Sequence, residues 1–141
     1  MVSRKEVGSG SGGGGTTTAV RKLVATWSGI VPSVLGNGSV WRVPFDADGT
    51  TSMAFTLGSA FGRIETSATA ATSWRLERMS PGADSAYAPT TITTVTVAAS
   101  HFQTQVTGLS VVVNSGDLLR LVFTAVGSEG NGYHVELIGT Q

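Results

Sequence analysis

Cysteine is absent from the 141-residue chain, which removes disulfide frameworks and thiolate metal centres at once. Charge is scarce: Asp, Glu, Lys and Arg make up 13% of residues, and nine bases cancel nine acids. No apolar run approaches the roughly 18 residues that a membrane-crossing helix needs, so no membrane partner is expected. The charged head MVSRKEVGSG is followed by no apolar segment, so no secretory signal is expected either. The Glu/Lys/Leu mixture that favours helices is thin. Histidine occurs only at 101 and 134, and no G-x-S-x-G elbow accompanies either one. With no nucleophile–base pair and no metal-ligand set, the chain reads as a non-enzyme that uses no cofactor.

The charge that exists is unevenly placed. Arg4, Lys5, Arg21 and Lys22 against Glu6 give the head a net +3, which leaves −3 for the rest. A body of that sign is a poor nucleic-acid partner, because phosphate affinity needs a basic face.

Glycine is plentiful, and its densest tract is VGSGSGGGGTTT, residues 7 to 18. Gly8-Ser9-Gly10-Ser11-Gly12-Gly13 satisfies G-x-G-x-x-G. That pattern binds a dinucleotide only where a strand feeds the loop and a helix leaves it. The flanks are MVSRKE, too short and charged for a buried strand, and the β-branched TTTAVRKLVATW. A Walker loop would need Lys-Ser/Thr after its last glycine, but Gly15 is followed by Thr16. The phosphate reading fails. Such a tract is a coil unless something holds it. Residues 1–20 are therefore expected to form an extended arm outside a single domain spanning 21–141. Val2, Arg4, Lys5, Val7, Arg21 and Lys22 are its candidate anchoring contacts.

Beyond the arm, short Val- and Thr-rich stretches alternate with turn residues, the pattern of an all-β sandwich or barrel. RKLVATWSGIV opens it, and PSVLGNGS closes that segment on a Gly-Asn-Gly turn. VWRVPF places Trp41, Val43 and Phe45 on one face, and Pro44 makes it an edge strand or ends it. DADGT is a turn. TSMAFTL and FGRIETS read as two strands broken at Gly58-Ser59. TSWRLERM follows, with Trp74 and Leu76 on one side. SPGADSAYAPT is a long loop, TITTVTV a strand, and FQTQVTGLSVVV a strand bent at Gly108. DLLRLVFTAV and GYHVELIG alternate most clearly, which puts Leu119, Leu121, Phe123, Val135 and Leu137 in one core. GSEGNG would join these two as a hairpin, with Arg120 and Glu136 paired across them. Leu118 and Val122 give one strand a second apolar face, which predicts cover from another subunit.

Three weaker chemical signals remain. Asp46-x-Asp48-Gly49 resembles the start of a calcium loop, but no acid follows until Glu65, and an Asp-capped turn explains it without metal. His101 and His134 read as surface or interface residues. Trp27, Trp41, Trp74, Tyr87 and Tyr133 could stack against a sugar. Alternation assigns Trp41 and Trp74 to the core, which leaves Tyr87, in the Pro-flanked loop, as the candidate ligand platform.

WSGIV, GNGSVWRVPFDADGT and SGDLLRLVFTAVGSEGNGYHVELIG together resemble β-sandwich accessory modules of tailed-bacteriophage virions. The matching positions are Ser28, Gly29, Trp41, Pro44, Phe45, Gly116, Asp117, Leu119, Val135 and Leu137; the middle, Thr51 to Thr107, departs from the pattern. The resemblance implies a single jelly-roll-like sandwich with a Gly-rich N-terminal arm. It also implies a structural role in the virion as a capsid decoration, head fibre or tail-fibre tip. The expected partners are other virion proteins and further copies of the chain, as a homotrimer. The alternative it leaves open is a tail-fibre module that binds a host receptor or surface glycan.

Overall fold

The computed structural model describes residues 21–45, 47–81, 87–127 and 129–141. The arm, with Val2, Arg4, Lys5 and Val7, lies outside the described residues. Eight strands carry the body: β1 (Arg21–Ile30), β2 (Gly36–Arg42), β3 (Ala54–Ile64), β4 (Thr72–Pro81), β5 (Tyr87–Val97), β6 (Gln103–Asn114), β7 (Leu118–Ala125) and β8 (Gly132–Thr140). They form two antiparallel four-stranded sheets, ordered β1-β8-β3-β6 and β2-β7-β4-β5. Among the described strands only β4 and β5 are joined as a hairpin; every other connection crosses from one sheet to the other. Two interlocked Greek keys of this order make a jelly roll.

Strand alternation builds the core. Tyr133, Val135 and Leu137 of β8 point inward with Leu119, Leu121 and Phe123 of β7, and the expected five residues do share one cluster. Trp74, Leu76, Ile64, Leu57, Val95 and Val113 complete its fully buried centre. Each such side chain contributes roughly 1.5–3 kcal/mol of burial.

Several boundaries differ from the sequence reading, each for a topological reason. TSMAFTL and FGRIETS are one strand, β3, whose register against β6 shifts between Leu57 and Ser59. Gly58 is the extra residue against β8 and makes a bulge rather than a break, while against β6 the added residues lie on β6 itself, where Gly108 adopts φ 75°. Gly36-Asn37-Gly38 belongs to β2, again beside a register shift, and is not a turn. β7 and β8 lie in different sheets, so 126–131 is an arch between sheets and not a hairpin loop. Arg120 and Glu136 therefore do not meet. Arg120 instead donates to Glu77 (Nη2–Oε1 2.6 Å), and Glu136 pairs with His134 (2.8 Å).

Of the outward apolar residues of β7, Leu118 is half-buried and Val122 is covered within the chain. Val122 is buried although it stands apart from the core cluster, between Asn37 of β2 and Arg75 of β4 in register. Glu77 lies on the same face and ties Arg75 (2.9 Å) and Arg120 into a charged cover. Burial pushes the Glu77 carboxyl up, but hydrogen bonds from Arg120 and Arg75 and their charges outweigh it and hold it below the usual range.

Strand direction sorts the loops into two ends. Arg21, Gln141, the 43–53 loop and the 115–117 turn share the end from which the arm departs. Loops 31–35, 65–71, 98–102 and 126–131 share the other, the distal end. The arm end is clamped by the 114–117 turn, in which Asp117 accepts the Asn114 N–H (2.9 Å) and Gly116 takes φ 90°. Gly116 donates its N–H to the Val43 carbonyl (2.9 Å), and Ser115 Oγ donates to that of Pro44 (2.7 Å). The matching positions Pro44, Phe45, Gly116 and Asp117 thus gather in one structural turn, with Phe45 against Gly116.

Candidate functional site

The distal end carries the features that suggest binding. Four of its residues expose large apolar side chains: Ile30 (68%), Val34 (70%), Leu35 (60%) and Phe102 (52%). Beside them two openings adjoin. The first, about 440 Å³, is a mixed cleft lined by Ser28, Gly29, Arg63, Glu65, Tyr133 and His134, with Ile64 and Gly132 at its floor. The second, about 420 Å³, is lined by Ile30, Pro32, Val34, Leu35, Phe123 and the glycines of β2. Tyr133 borders both.

Local rules explain how the side chains arrive there. Arg63 and Glu65 flank inward-facing Ile64, so the period of two places both on the outer side of β3 where it ends. Register sets Arg63 opposite His134 and Ser28 opposite His134 from the other side, so three adjacent strands meet in the cleft. Tyr133 is held from behind by an aromatic cluster. Phe123 meets it edge-on at 5.1 Å and 90°, and Trp74 lies 6.1 Å away. Burial raises the Tyr133 phenol above its ordinary 10.0, so the hydroxyl is neutral at physiological pH.

Glycines shape the cleft. A Cβ on Gly29 would stand 3.3 Å from Tyr133 Cε1, and one on Gly132 would stand 2.5 Å from Glu65 Cδ. These positions stay bare so that Tyr133 and Glu65 can lie flat across β1 and β8. The loops around the cleft are stitched by backbone hydrogen bonds: Val31 N–H to Asn131 O (2.7 Å), Gly130 N–H to Val31 O (2.9 Å) and Glu65 N–H to Gly132 O (2.9 Å). Ile64 N–H to Phe102 O (2.8 Å) and Ser100 N–H to Ala68 O (2.8 Å) extend the net across the end. The cleft is pre-shaped.

The residues singled out from sequence fall elsewhere. Tyr87 starts β5 opposite Pro81, at the arm end, and is not in a long loop; its side chain is outside the described residues. Arg21 opens β1 opposite Thr140, and Lys22 is exposed with its ammonium donating to Gln141 Oε1. Trp41 is not core: β2 is an edge strand, so the ring stays 39% exposed although it shares the side of Leu119. Trp27 is buried and donates its indole N–H to the Ser39 carbonyl (2.9 Å), and Trp74 is wholly buried. His101 is exposed, with Nδ1 2.9 Å from the Ala99 carbonyl. Asp46 is outside the described residues. Both oxygens of Asp48 are used within the turn, Oδ1 by the N–H groups of Thr50 (2.8 Å) and Thr51 (2.7 Å) and Oδ2 by the Thr51 hydroxyl. Those bonds, the Thr51 hydroxyl first, hold the Asp48 carboxyl at about 2. Arg63 and Glu65 were not picked out, and Tyr133 only as one of five aromatics able to stack against a sugar, because no local spacing links positions that only sheet register brings together.

No protein-family model matches the chain, and no curated protein matches it.

Proposed function

We propose that the chain is a structural accessory protein on the surface of a tailed-phage virion, a capsid decoration or fibre, anchored by its N-terminal arm. The observation that carries this reading is the two-ended layout. The arm joins β1 at the same end as Gln141, while the exposed apolar residues and both openings sit at the opposite end. A body built so can be held at one end and present the other. The jelly roll supports it as a durable scaffold, and the virion-module resemblance is the reason for choosing a particle surface.

In this reading Val2 and Val7 pack against a neighbouring virion protein, and Arg4, Lys5, Arg21 and Lys22 face its acidic groups. The body assembles as a homotrimer. Exposed Leu23, Val40, Trp41 and Val112 lie on the edge strands β1, β2 and β6 and offer the apolar contact area that the outward side of β7 does not.

The test is deletion of residues 1–18. The melting temperature of the body should stay unchanged while incorporation into particles is abolished. Truncated protein that still joins virions at wild-type occupancy would sink the anchoring role. For the trimer, light scattering that returns a monomer mass for protein released from virions would count against it.

A further inference from the structure

The sequence holds two Asn-Gly dipeptides, Asn37-Gly38 in β2 and Asn131-Gly132 where β8 begins. Glycine leaves its backbone nitrogen unshielded, so that nitrogen can reach the amide carbon of the preceding asparagine and close a five-membered imide ring. The two sites differ in what surrounds the glycine. A Cβ at 38 would meet Leu121 and Phe123, whereas one at 132 would stand 2.5 Å from Glu65 Cδ. Glu65 Oε2 accepts the Gly132 N–H itself, at 3.3 Å.

We propose that Asn131 is a self-modification site, at which Glu65 acts as the base for succinimide formation and the asparagine becomes aspartate or isoaspartate. The Glu65 carboxylate takes the Gly132 amide proton as that nitrogen attacks Cγ of Asn131. A bond forms between Gly132 N and Cγ, and the bond from Cγ to Nδ2 breaks. Nδ2 leaves as ammonia, carrying the proton that Glu65 returns. Water then opens the ring. Cleavage between nitrogen and Cγ gives aspartate, and cleavage between nitrogen and the main-chain carbonyl carbon gives isoaspartate. Either route consumes one water and releases one ammonia, with the carboxylate regenerated.

The surroundings suit the step. Asn131 lies in the bend before β8, outside the strand ladder, so its backbone can turn without breaking strand pairing. Its carbonyl accepts the Val31 N–H (2.7 Å) and remains a carbonyl in the imide ring. The Glu65 N–H donates to the Gly132 carbonyl (2.9 Å), which keeps the carboxylate beside the amide that it serves. Glu65 is exposed and Asn131 half-buried, so water reaches the ring. Either product sets a second carboxylate next to Glu65. Isoaspartate also adds a carbon to the main chain between the ties to Val31 and Glu65, which loosens the distal end.

Neither the arm nor a virion partner enters this chemistry. After incubation of the full chain at neutral pH, trypsin places Asn37 and Asn131 in separate peptides, each with no second asparagine. Mass spectrometry with fragmentation should show Asn131 converting faster than Asn37. Glu65→Gln keeps the side chain's size and an acceptor oxygen but is no base. It should slow Asn131 by about tenfold and leave the Asn37 rate and the melting temperature unchanged. A Glu65 that merely braced the loop would act the other way, its loss leaving the rate unchanged or raising it. Hydrogen exchange at the Val31 and Glu65 amides should rise in the isoaspartate form, and unchanged exchange would refute the loosening. Asn131 that stays intact, converts no faster than Asn37, or converts in Glu65→Gln at the wild-type rate or above overturns the proposal.

Discussion

Gly62 sits on the inner face of β3, against Val95 and Trp74 of the facing sheet. A Cβ built there would stand 2.7 Å from Val95 Cγ1 and 3.0 Å from Trp74 Cζ3, inside any ordinary carbon–carbon contact. Val95 and Trp74 are both fully buried, so neither side chain can swing into solvent. Alanine at 62 meets no backbone strain, because Gly62 is not among the glycines with positive φ. Its gain over glycine in chain entropy, about 0.5–1 kcal/mol, therefore opposes an overpacking cost of about 1–3 kcal/mol. Gly62→Ala should lose about 1–2 kcal/mol net. Val95→Ala removes the nearer obstacle and alone should cost about 2 kcal/mol as a cavity. In the double variant the new methyl occupies part of that cavity, so the combined loss should fall short of the sum by about 1 kcal/mol or more. Guanidinium unfolding of the four proteins, with m held equal, reads these values. A neutral Gly62→Ala, or strict additivity, would mean that β3 does not lie against β4 and β5 as described.

Gly127→Ala should be worse than Gly62→Ala, by chemical denaturation, because the Cβ would stand 2.0 Å from the Ala70 carbonyl oxygen and backbone cannot rotate aside. Glu77→Gln should cost about 1–3 kcal/mol, since it strips one buried carboxylate from two arginines. The folded Glu77 pKa lies below its ordinary 4.5, so its contribution is complete above that value and fades as pH falls through the folded pKa. Wild type should lose stability on acidification in that window, and Glu77→Gln should lose less of it. The Asp48 carboxyl should titrate by NMR with a midpoint of about 2, and Thr51→Val should raise it by removing the hydroxyl donor. An unmoved midpoint in Thr51→Val would refute the turn-capping account.

The periodicity of two made β7 and β8 legible, down to which five residues share the core, because burial on one face writes itself into every second position. A turn that needs particular residues was legible too, at Asp48 and Gly49. Pairing was not. β7 and β8 are consecutive strands joined by a short Gly/Ser loop, the pattern of a hairpin, yet the jelly roll sends them to opposite sheets. The local sequence is alike in both cases, so the Arg120–Glu136 pairing failed and Arg120–Glu77, 43 residues apart, took its place. Trp41 was misplaced for a related reason. Alternation names a side of a strand, but at a sheet edge that side opens to solvent. The cleft was invisible because its residues come from β1, β3 and β8, and their meeting depends on register between strands far apart in sequence.

The same topology explains why a binding surface should form at the distal end. At the arm end short turns are consumed by structural bonds: Asp117, Ser115 and Asp48 each spend their side-chain oxygens on backbone or on neighbouring hydroxyls. At the distal end the loops are held mostly by backbone-to-backbone bonds, which leave side chains unspent. Gly127 and Gly132 permit this, since close approach of backbone to Ala70 and of carboxylate to strand replaces side-chain bridges that would otherwise fill the space. Side chains at 34, 35, 63 and 102 can then change without breaking the frame, whereas Gly127 and Gly132 cannot. A rigid frame with free side chains is the condition under which a surface can be selected for a ligand at little expense to the fold.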